Sequence, residues 1–197
     1  PSLALGTADV SLYQMVAAYG VFANGGIYNK PVLVTSIEDK NGTVIYQYIP
    51  ESKDVMNPET AYVTVNLMEG VTRIGSGARL RGTWAINDPF YKEVITDYPY
   101  DFKNDIAGKT GTTQNNSDGW FMGIVPNLAT GVWTGGEDRA THFEGIAKGQ
   151  GATMSLPSFA LFLKKCYADE SLNISQEEFE KPENLSININ CGEIEKE

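Results

Sequence analysis

Residues 106–113 read Ile106-Ala107-Gly108-Lys109-Thr110-Gly111-Thr112-Thr113, and the Gly-Lys-Thr within them has two structural settings open to it. It can close a phosphate-binding loop, or it can stand on a strand at the rim of another anion site. A phosphate loop needs a glycine five positions before the second glycine and a helix whose N-terminus faces the phosphate. The position five before Gly108 holds Lys103, and the residues that follow, Thr112-Thr113-Gln114-Asn115-Asn116-Ser117-Asp118-Gly119, are polar turn formers that start no helix. Both contexts fail, so the stretch is expected as a strand and its lysine as part of a different site.

Working outward, three short runs follow one another closely: Ile106 to Thr113, Trp120 to Val125 and Thr130 to Thr134. Turn residues separate them, Asn115 to Gly119 and then Pro126-Asn127. Strands joined this tightly form an antiparallel meander. Ser155-Leu156-Pro157 then opens a helix expected to run to about Ala168. Toward the N-terminus, Ser11 and Gln14 have capping-box spacing ahead of Leu12, Met15, Val16, Tyr19 and Phe22, and Asn24-Gly25-Gly26 ends that helix. Val32–Ile37 and Val44–Tyr48 flank Asp39-Lys40-Asn41-Gly42 and read as a hairpin. Asn57-Pro58 opens a second long helix with Ala61, Val65, Met68 and Thr72 on one face. The stretch from Arg73 to Asp105 shows no periodicity and is expected to be irregular. Its Gly75-Ser76-Gly77 imitates a dinucleotide turn, but Leu80 occupies the third glycine position and no strand precedes it. Helices and strands are segregated, which predicts an α+β layer fold.

The bulk numbers exclude some classes. A formal net charge of −10 over 197 residues argues against nucleic acid as a partner. From Asp169 to Glu197 there are nine acids and two lysines, so most of that charge sits in a segment expected to be a solvated acidic tail. The domain expectation is therefore residues 1–168 for the folded unit and 169–197 for the tail. No apolar stretch approaches the roughly 18 residues of a membrane helix, and no signal peptide is visible. Because the chain opens at Pro1 rather than methionine, it is expected to be a piece of a longer protein. Cys166 and Cys191 lack metal-ligand spacing; pairing in an oxidising compartment and two free thiols both remain open. His142, the single histidine, has no ligand set around it and is expected on a loop or surface. No cofactor and no metal is expected. Trp120, Phe121 and Trp133 are expected beneath the sheet as core aromatics.

With Lys109-Thr110-Gly111-Thr112-Thr113 on a strand, followed by Asp118-Gly119-Trp120-Phe121, Gly123, Pro126 and Val132-Trp133, the chain resembles the transpeptidase domain of class A penicillin-binding proteins. Ser11 to Gly26, and Met68-Glu69-Gly70-Val71 through Gly75-Ser76-Gly77-Ala78, resemble that family too, so the likeness covers about residues 1 to 165. It implies a β-lactamase/transpeptidase-like antiparallel sheet with packed helices. It also implies a D,D-transpeptidase that crosslinks peptidoglycan stem peptides ending in D-Ala-D-Ala, is acylated by β-lactams and works outside the cytoplasmic membrane. The parent would also carry a peptidoglycan glycosyltransferase domain and an anchor. A silent penicillin-recognising sensor, or a carboxypeptidase or β-lactamase-type hydrolase, are the alternatives.

The chain departs from the family pattern in one respect. No serine has a lysine three positions later, and the two Ser-x-Asn matches, Ser171-Leu172-Asn173 and Ser186-Ile187-Asn188, lie after Lys109 instead of before it. The nucleophile and the second motif are therefore expected on an upstream half of the same domain, which makes that half a partner and leaves this chain inactive alone. By resemblance, Lys109 supplies positive potential and assists proton transfer at the missing serine. An ammonium and a carboxylate ~4 Å apart attract by about 4 kcal/mol at an effective dielectric of ~20, before desolvation. Thr110 and Thr112 are two apart, so on a strand their hydroxyls share a face and can both bond the substrate carboxylate. Gly111 lies between them, where a side chain would crowd the opposite face, and the resemblance implies that the Thr112 N–H is the second oxyanion donor. A solvated edge strand, its lysine present to deter aggregation, is the plain structural alternative.

Overall fold

A computed structural model of the chain describes residues 3, 6–82 and 84–189. Helix α1 (Leu12–Ala23) begins at Ser11, whose hydroxyl accepts the Gln14 N–H while the Gln14 side chain accepts the Ser11 N–H, the reciprocal box read from the sequence. It stops where Gly25 and Gly26 take positive φ values of 60° and 95°. Helix α2 (Pro58–Arg73) starts at Asn57, whose side chain accepts the Glu59 N–H, with Pro58 in the first turn. Ala61, Val65, Met68 and Thr72 form its buried face, together with Glu69.

Between these helices lie two two-stranded ribbons. Strands β2 (Ser36–Glu38) and β3 (Val44–Gln47) are the expected hairpin, shorter than the apolar runs suggest and bulged at Ile37/Glu38. Asp39 Oδ1 accepts the Asn41 and Thr43 N–H groups and shapes the turn. Strands β1 (Ile27–Asn29) and β4 (Ser52–Asp54) pair antiparallel and had no clear sequence signal.

The central sheet is the predicted meander: β5 (Ala107–Thr112), β6 (Asp118–Val125) and β7 (Leu128–Gly135), antiparallel in the order β5-β6-β7. Directly paired residues share a face, and the pairs sort the sheet into two surfaces. Ala107 and Ile124 face α1 and α2, packing with Val65, Met68, Tyr19 and Phe22. Phe121 and Val125 face the other way, toward helix α6 (Leu156–Ala168), where Leu156, Phe159 and Leu163 complete a larger core. Two single-turn helices unmarked in the sequence, α4 (Ile146–Gly149) and α5 (Gly151–Met154), precede α6. The arrangement is helix layer, antiparallel sheet, helix layer, as the α+β expectation required.

Residues 73–105 are mostly irregular but far from peripheral. They hold a 3-10 turn (Ala78–Arg81) and a short helix α3 (Pro89–Val94), and they contribute Leu80, Ile95, Tyr100 and Phe102 to the larger core. Three-turn helical or alternating periodicity never develops because these side chains reach the core one at a time from turns. The aromatic expectation holds for Phe121, fully buried, and fails for Trp133, which is 42% exposed on the outer strand of the sheet; Trp120 is half-buried opposite it. Cys166 is buried as a free thiol, and Cys191 lies outside the described residues. His142 is exposed. From residue 170 to residue 189 the chain is largely exposed yet held at named points. Asn127 bonds the Asn173 carbonyl and the Ser175 N–H, Phe179 packs on the α1–α2 core, and the Glu59 carboxylate accepts from the Ser186 N–H and hydroxyl and from the Ile187 N–H. No helix among the described residues is long and apolar enough to cross a membrane.

Candidate functional site

Strand β5 forms because Ile106, Ala107 and Gly108 are drawn fully into the core while the next residues run out toward solvent. Among the described residues β5 pairs on one side only, with β6. The phase of that pairing decides which groups face outward. The Thr113 N–H donates to the Asp118 carbonyl at 3.1 Å, in register with the Gly111↔Trp120 and Lys109↔Met122 pairs. Bonded and outward positions alternate along an antiparallel strand, so Lys109 and Gly111 bond to β6 and the backbone groups of Thr110 and Thr112 point out of the sheet edge.

Side chains gather at the same edge. Lys109 Nζ donates to the outward Thr110 carbonyl at 2.9 Å and lies 3.5 Å from Thr110 Oγ1. Thr112 Oγ1 accepts the Gly151 N–H at 3.0 Å, which fixes the oxygen and leaves its proton uncommitted by that bond. Gly111 needs its small size: a Cβ there would stand 3.0 Å from Trp120 Cβ on the α1–α2 side of the sheet. The structure thus brings Lys109, Thr110, Gly111 and Thr112 together at one exposed strand edge, and no helix begins at Thr110.

The edge is held from beneath by a network the sequence did not reveal. Arg81 donates to the Thr72 hydroxyl at 2.9 Å, to the Thr72 carbonyl and to the carbonyls of Phe102 and Asn104, and the Thr72 hydroxyl in turn donates to the Ile106 carbonyl. The end of α2 is thereby tied to the segment entering β5. Alongside, Arg73 bridges Glu69 at 3.1 Å and Asp105 at 2.9 Å. Burial pushes the Glu69 carboxyl above its ordinary value, and the nearby Asp105 charge pushes the same way against Arg73. Arg79 is buried with its guanidinium 4.4 Å over the Trp84 ring and 4.7 Å over Tyr91, and it donates to Thr153 Oγ1 at 2.7 Å. At the far end of β5, the Asp118 carboxylate accepts the Thr113 hydroxyl proton at 3.0 Å. Ser76 also reaches the edge itself, its Oγ 2.6 Å from Thr110 Oγ1. Its sequence signals are a Gly-x-Gly just past a helix end, which fails as a dinucleotide turn, and its place in the stretch Met68 to Ala78 that resembles the family; neither points to a contact with Thr110. No group of three or more metal-ligating side chains occurs among the described residues.

An ammonium, two hydroxyls and an outward N–H on one rigid strand make a site for an anion and for a polarised carbonyl beside it. Comparison with known proteins bears on what that site serves. Residues 2–142 match the penicillin binding protein transpeptidase domain family. The chain is 32% identical over 196 residues to penicillin-binding protein 1A of Aquifex aeolicus (strain VF5), covering 98% of this chain and 23% of that protein. Its fold superposes on penicillin-binding protein 1A from Haemophilus influenzae with a TM-score of 0.71 at 20% identity, over 92% of this chain and 29% of the other. It also superposes on the imipenem acyl-enzyme complex of penicillin-binding protein A from M. tuberculosis with a TM-score of 0.55 at 22% identity, over 80% and 32% of the two chains. At those identities the structural likenesses speak for the fold. The chain spans less than a quarter of the length of the Aquifex relative.

Proposed function

Given that this chain belongs to the penicillin-binding protein transpeptidase family, we propose that it forms the carboxylate-holding wall of a D,D-transpeptidase site. The observation that carries the proposal is the phase of β5: the Thr112 N–H and the Lys109 ammonium stand at the same outward edge as the Thr110 and Thr112 hydroxyls. In the proposed reaction a stem peptide ending in D-Ala-D-Ala lies along that edge. The Thr110 and Thr112 hydroxyls donate to its terminal carboxylate, and Lys109 adds positive potential and assists proton transfer at the attacking serine. The Thr112 N–H donates to the carbonyl oxygen as it becomes an oxyanion, so its bond strengthens in the transition state. A donor of this kind contributes on the order of 3 kcal/mol to acyl transfer.

The nucleophile in this proposal comes from outside these 197 residues, because no serine here has a lysine one helical turn later to activate it. Residues 1–168 are accordingly taken as the C-terminal portion of the transpeptidase domain and 169–197 as an acidic tail. β-Lactams, which carry a carboxylate beside a strained carbonyl, would occupy the same edge; the likeness to a fold captured as an imipenem acyl-enzyme supports this. An extracytoplasmic location, a membrane anchor and a glycosyltransferase domain elsewhere in the parent belong to the same proposal.

Labelling with a fluorescent penicillin tests it. The 197-residue chain alone is expected to take no covalent label, whereas the same chain within a protein carrying the rest of its domain is expected to label readily. In that protein Lys109→Ala should slow acylation at least a hundredfold. Covalent label on the chain alone, or parental acylation by the Lys109→Ala variant, would remove β5 from the active site. Labelling without turnover of a D-Ala-D-Ala substrate would identify a sensor instead of an enzyme.

A further inference from the structure

Thr110 is met at the edge of β5 by a residue 34 positions earlier. The Ser76 hydroxyl lies 2.6 Å from Thr110 Oγ1, and it arrives on a turn with little freedom to move. The Gly75 N–H donates to the Gly70 carbonyl, the Gly77 N–H to the Val71 carbonyl and the Ala78 N–H to the Gly75 carbonyl, folding the turn back on the end of α2. A Cβ at Gly75 would stand 2.9 Å from Val71 Cα, a backbone atom, so the turn can lie this close only with glycine there. Directly after the turn, Arg79 bonds Thr153 of α5, and Gly151 of the same short helix bonds Thr112. Ser76 thus braces Thr110 and Gly151 braces Thr112, and a buried arginine ties the two braces together.

The chemistry of a hydroxyl says what the Ser76 brace does. Threonine has one proton to donate and two lone pairs. An ionised carboxylate only accepts, so Thr110 can hold one only by turning its proton outward, and its oxygen must then be the acceptor toward Ser76. With Ser76 donating, the Thr110 proton is aimed at the ligand, and the chained hydrogen bond polarises it. We propose that Ser76 is a positioning residue that sets the Thr110 hydroxyl to donate to the carboxylate of the substrate or β-lactam, and that it thereby contributes to selection for ligands carrying that charge. This inference rests on the transpeptidase reading of β5.

The discriminating experiment compares acylation of the complete domain by benzylpenicillin and by its methyl ester, which keeps the reactive ring and loses the carboxylate. Ser76→Ala is expected to slow acylation by benzylpenicillin about three- to tenfold, the size of one lost hydrogen bond, while the ester reacts within twofold of the parental rate. Ser76→Thr, which restores the hydroxyl, is expected to recover most of the loss, and Ser76→Cys, a weaker donor of similar size, to fall between. Equal slowing toward both compounds, with no recovery in Ser76→Thr, would reduce Ser76 to a structural staple and overturn the inference. So would parental rates in Ser76→Ala alongside slow Lys109→Ala and Thr110→Val variants. If Lys109→Ala and Thr110→Val also react at the parental rate, the transpeptidase reading itself falls.

Discussion

The Thr112 hydroxyl accepts the Gly151 N–H at 3.0 Å, and that contact exists only because residue 151 has no side chain. A Cβ at Gly151 would stand 2.3 Å from the Gly111 carbonyl oxygen and 2.4 Å from that of Trp120, both backbone atoms of the sheet. Gly151→Ala must push α5 off β5, and overpacking of this kind costs about 1–3 kcal/mol. A fall of that size in unfolding free energy by urea titration, with slower acylation in the complete domain, is the expected outcome. Thr110→Val addresses the neighbouring hydroxyl with almost no change in volume. Acylation by a carboxylate-bearing penicillin should slow by about tenfold or more, since a hydrogen bond to a charged group contributes about 1.5–3 kcal/mol, and the melting temperature should hardly move. A variant that acylates normally would separate the Thr110 hydroxyl from ligand binding.

At the scale of elements, α2 connects the site to the rest of the fold through its last turns. Arg81 joins Thr72 on that helix to the carbonyls of Phe102 and Asn104 ahead of β5. Arg81→Met keeps the apolar stem and strands those acceptors, so a loss of about 1–3 kcal/mol is expected in denaturant unfolding. Two carboxylates on the same helix respond to pH in opposite directions. Hydrogen bonds from the Ser186 hydroxyl and N–H hold Glu59 below its ordinary value, so its favourable contribution is present at neutral pH and lost in acid as the folded protein protonates it. Glu69 is raised, chiefly by burial. A raised carboxyl favours the folded state below its ordinary value near 4.5, and that contribution disappears as pH climbs through the folded value. Glu69→Gln, with Arg73 still paired to Asp105, should therefore flatten the stability curve above pH 4.5 and leave the protein at least as stable as the parent at pH 7. Urea midpoints at pH 5 and pH 7 would show it, and a large loss at pH 7 would mean the Arg73 pair outweighs the burial of the charge.

Across the whole molecule, the acidic segment after Asp169 is bound through a few of its non-acidic residues. Among its described residues most stand in water, while Ile174 and Phe179 reach the two cores and Asn127, at the turn between β6 and β7, grips the chain on both sides of Ile174. Asn127→Ala removes two hydrogen bonds of 2.8 Å each. The Ser175 amide is expected to exchange with solvent markedly faster in that variant, and stability to fall by about 1–2 kcal/mol. Unchanged exchange at Ser175 would mean the segment is held by Phe179 and Glu59 without Asn127.

Much of this architecture is legible in the sequence, because its signals are local. The Ser11 box, the Asn57-Pro58 start, the glycine stop after Ala23 and the turn residues around Trp120–Val125 each act within a few positions, so one window of sequence determined the starts of α1 and α2 and the meander. The Lys109–Thr113 motif belongs to the same class, since the period of a strand decides which of its side chains share a face. What the sequence could not disclose depends on groups far apart in the chain. Residues 73–105 have no period, yet four of their side chains complete the larger core, because burial from turns follows the shape of the cavity and leaves no repeat. Trp133 looks like a core residue by composition, and only the position of β7 at the outer side of the sheet leaves it exposed. Ser76 reaches Thr110 across 34 residues and Gly151 reaches Thr112 across 39, contacts that arise when α2, the Ala78–Arg81 turn and α5 close around one strand edge. Hydrogen bonds of that range are set by packing, so the strand that carries the site was determined by sequence, and the hydroxyl orientations that tune it were decided by the tertiary fold.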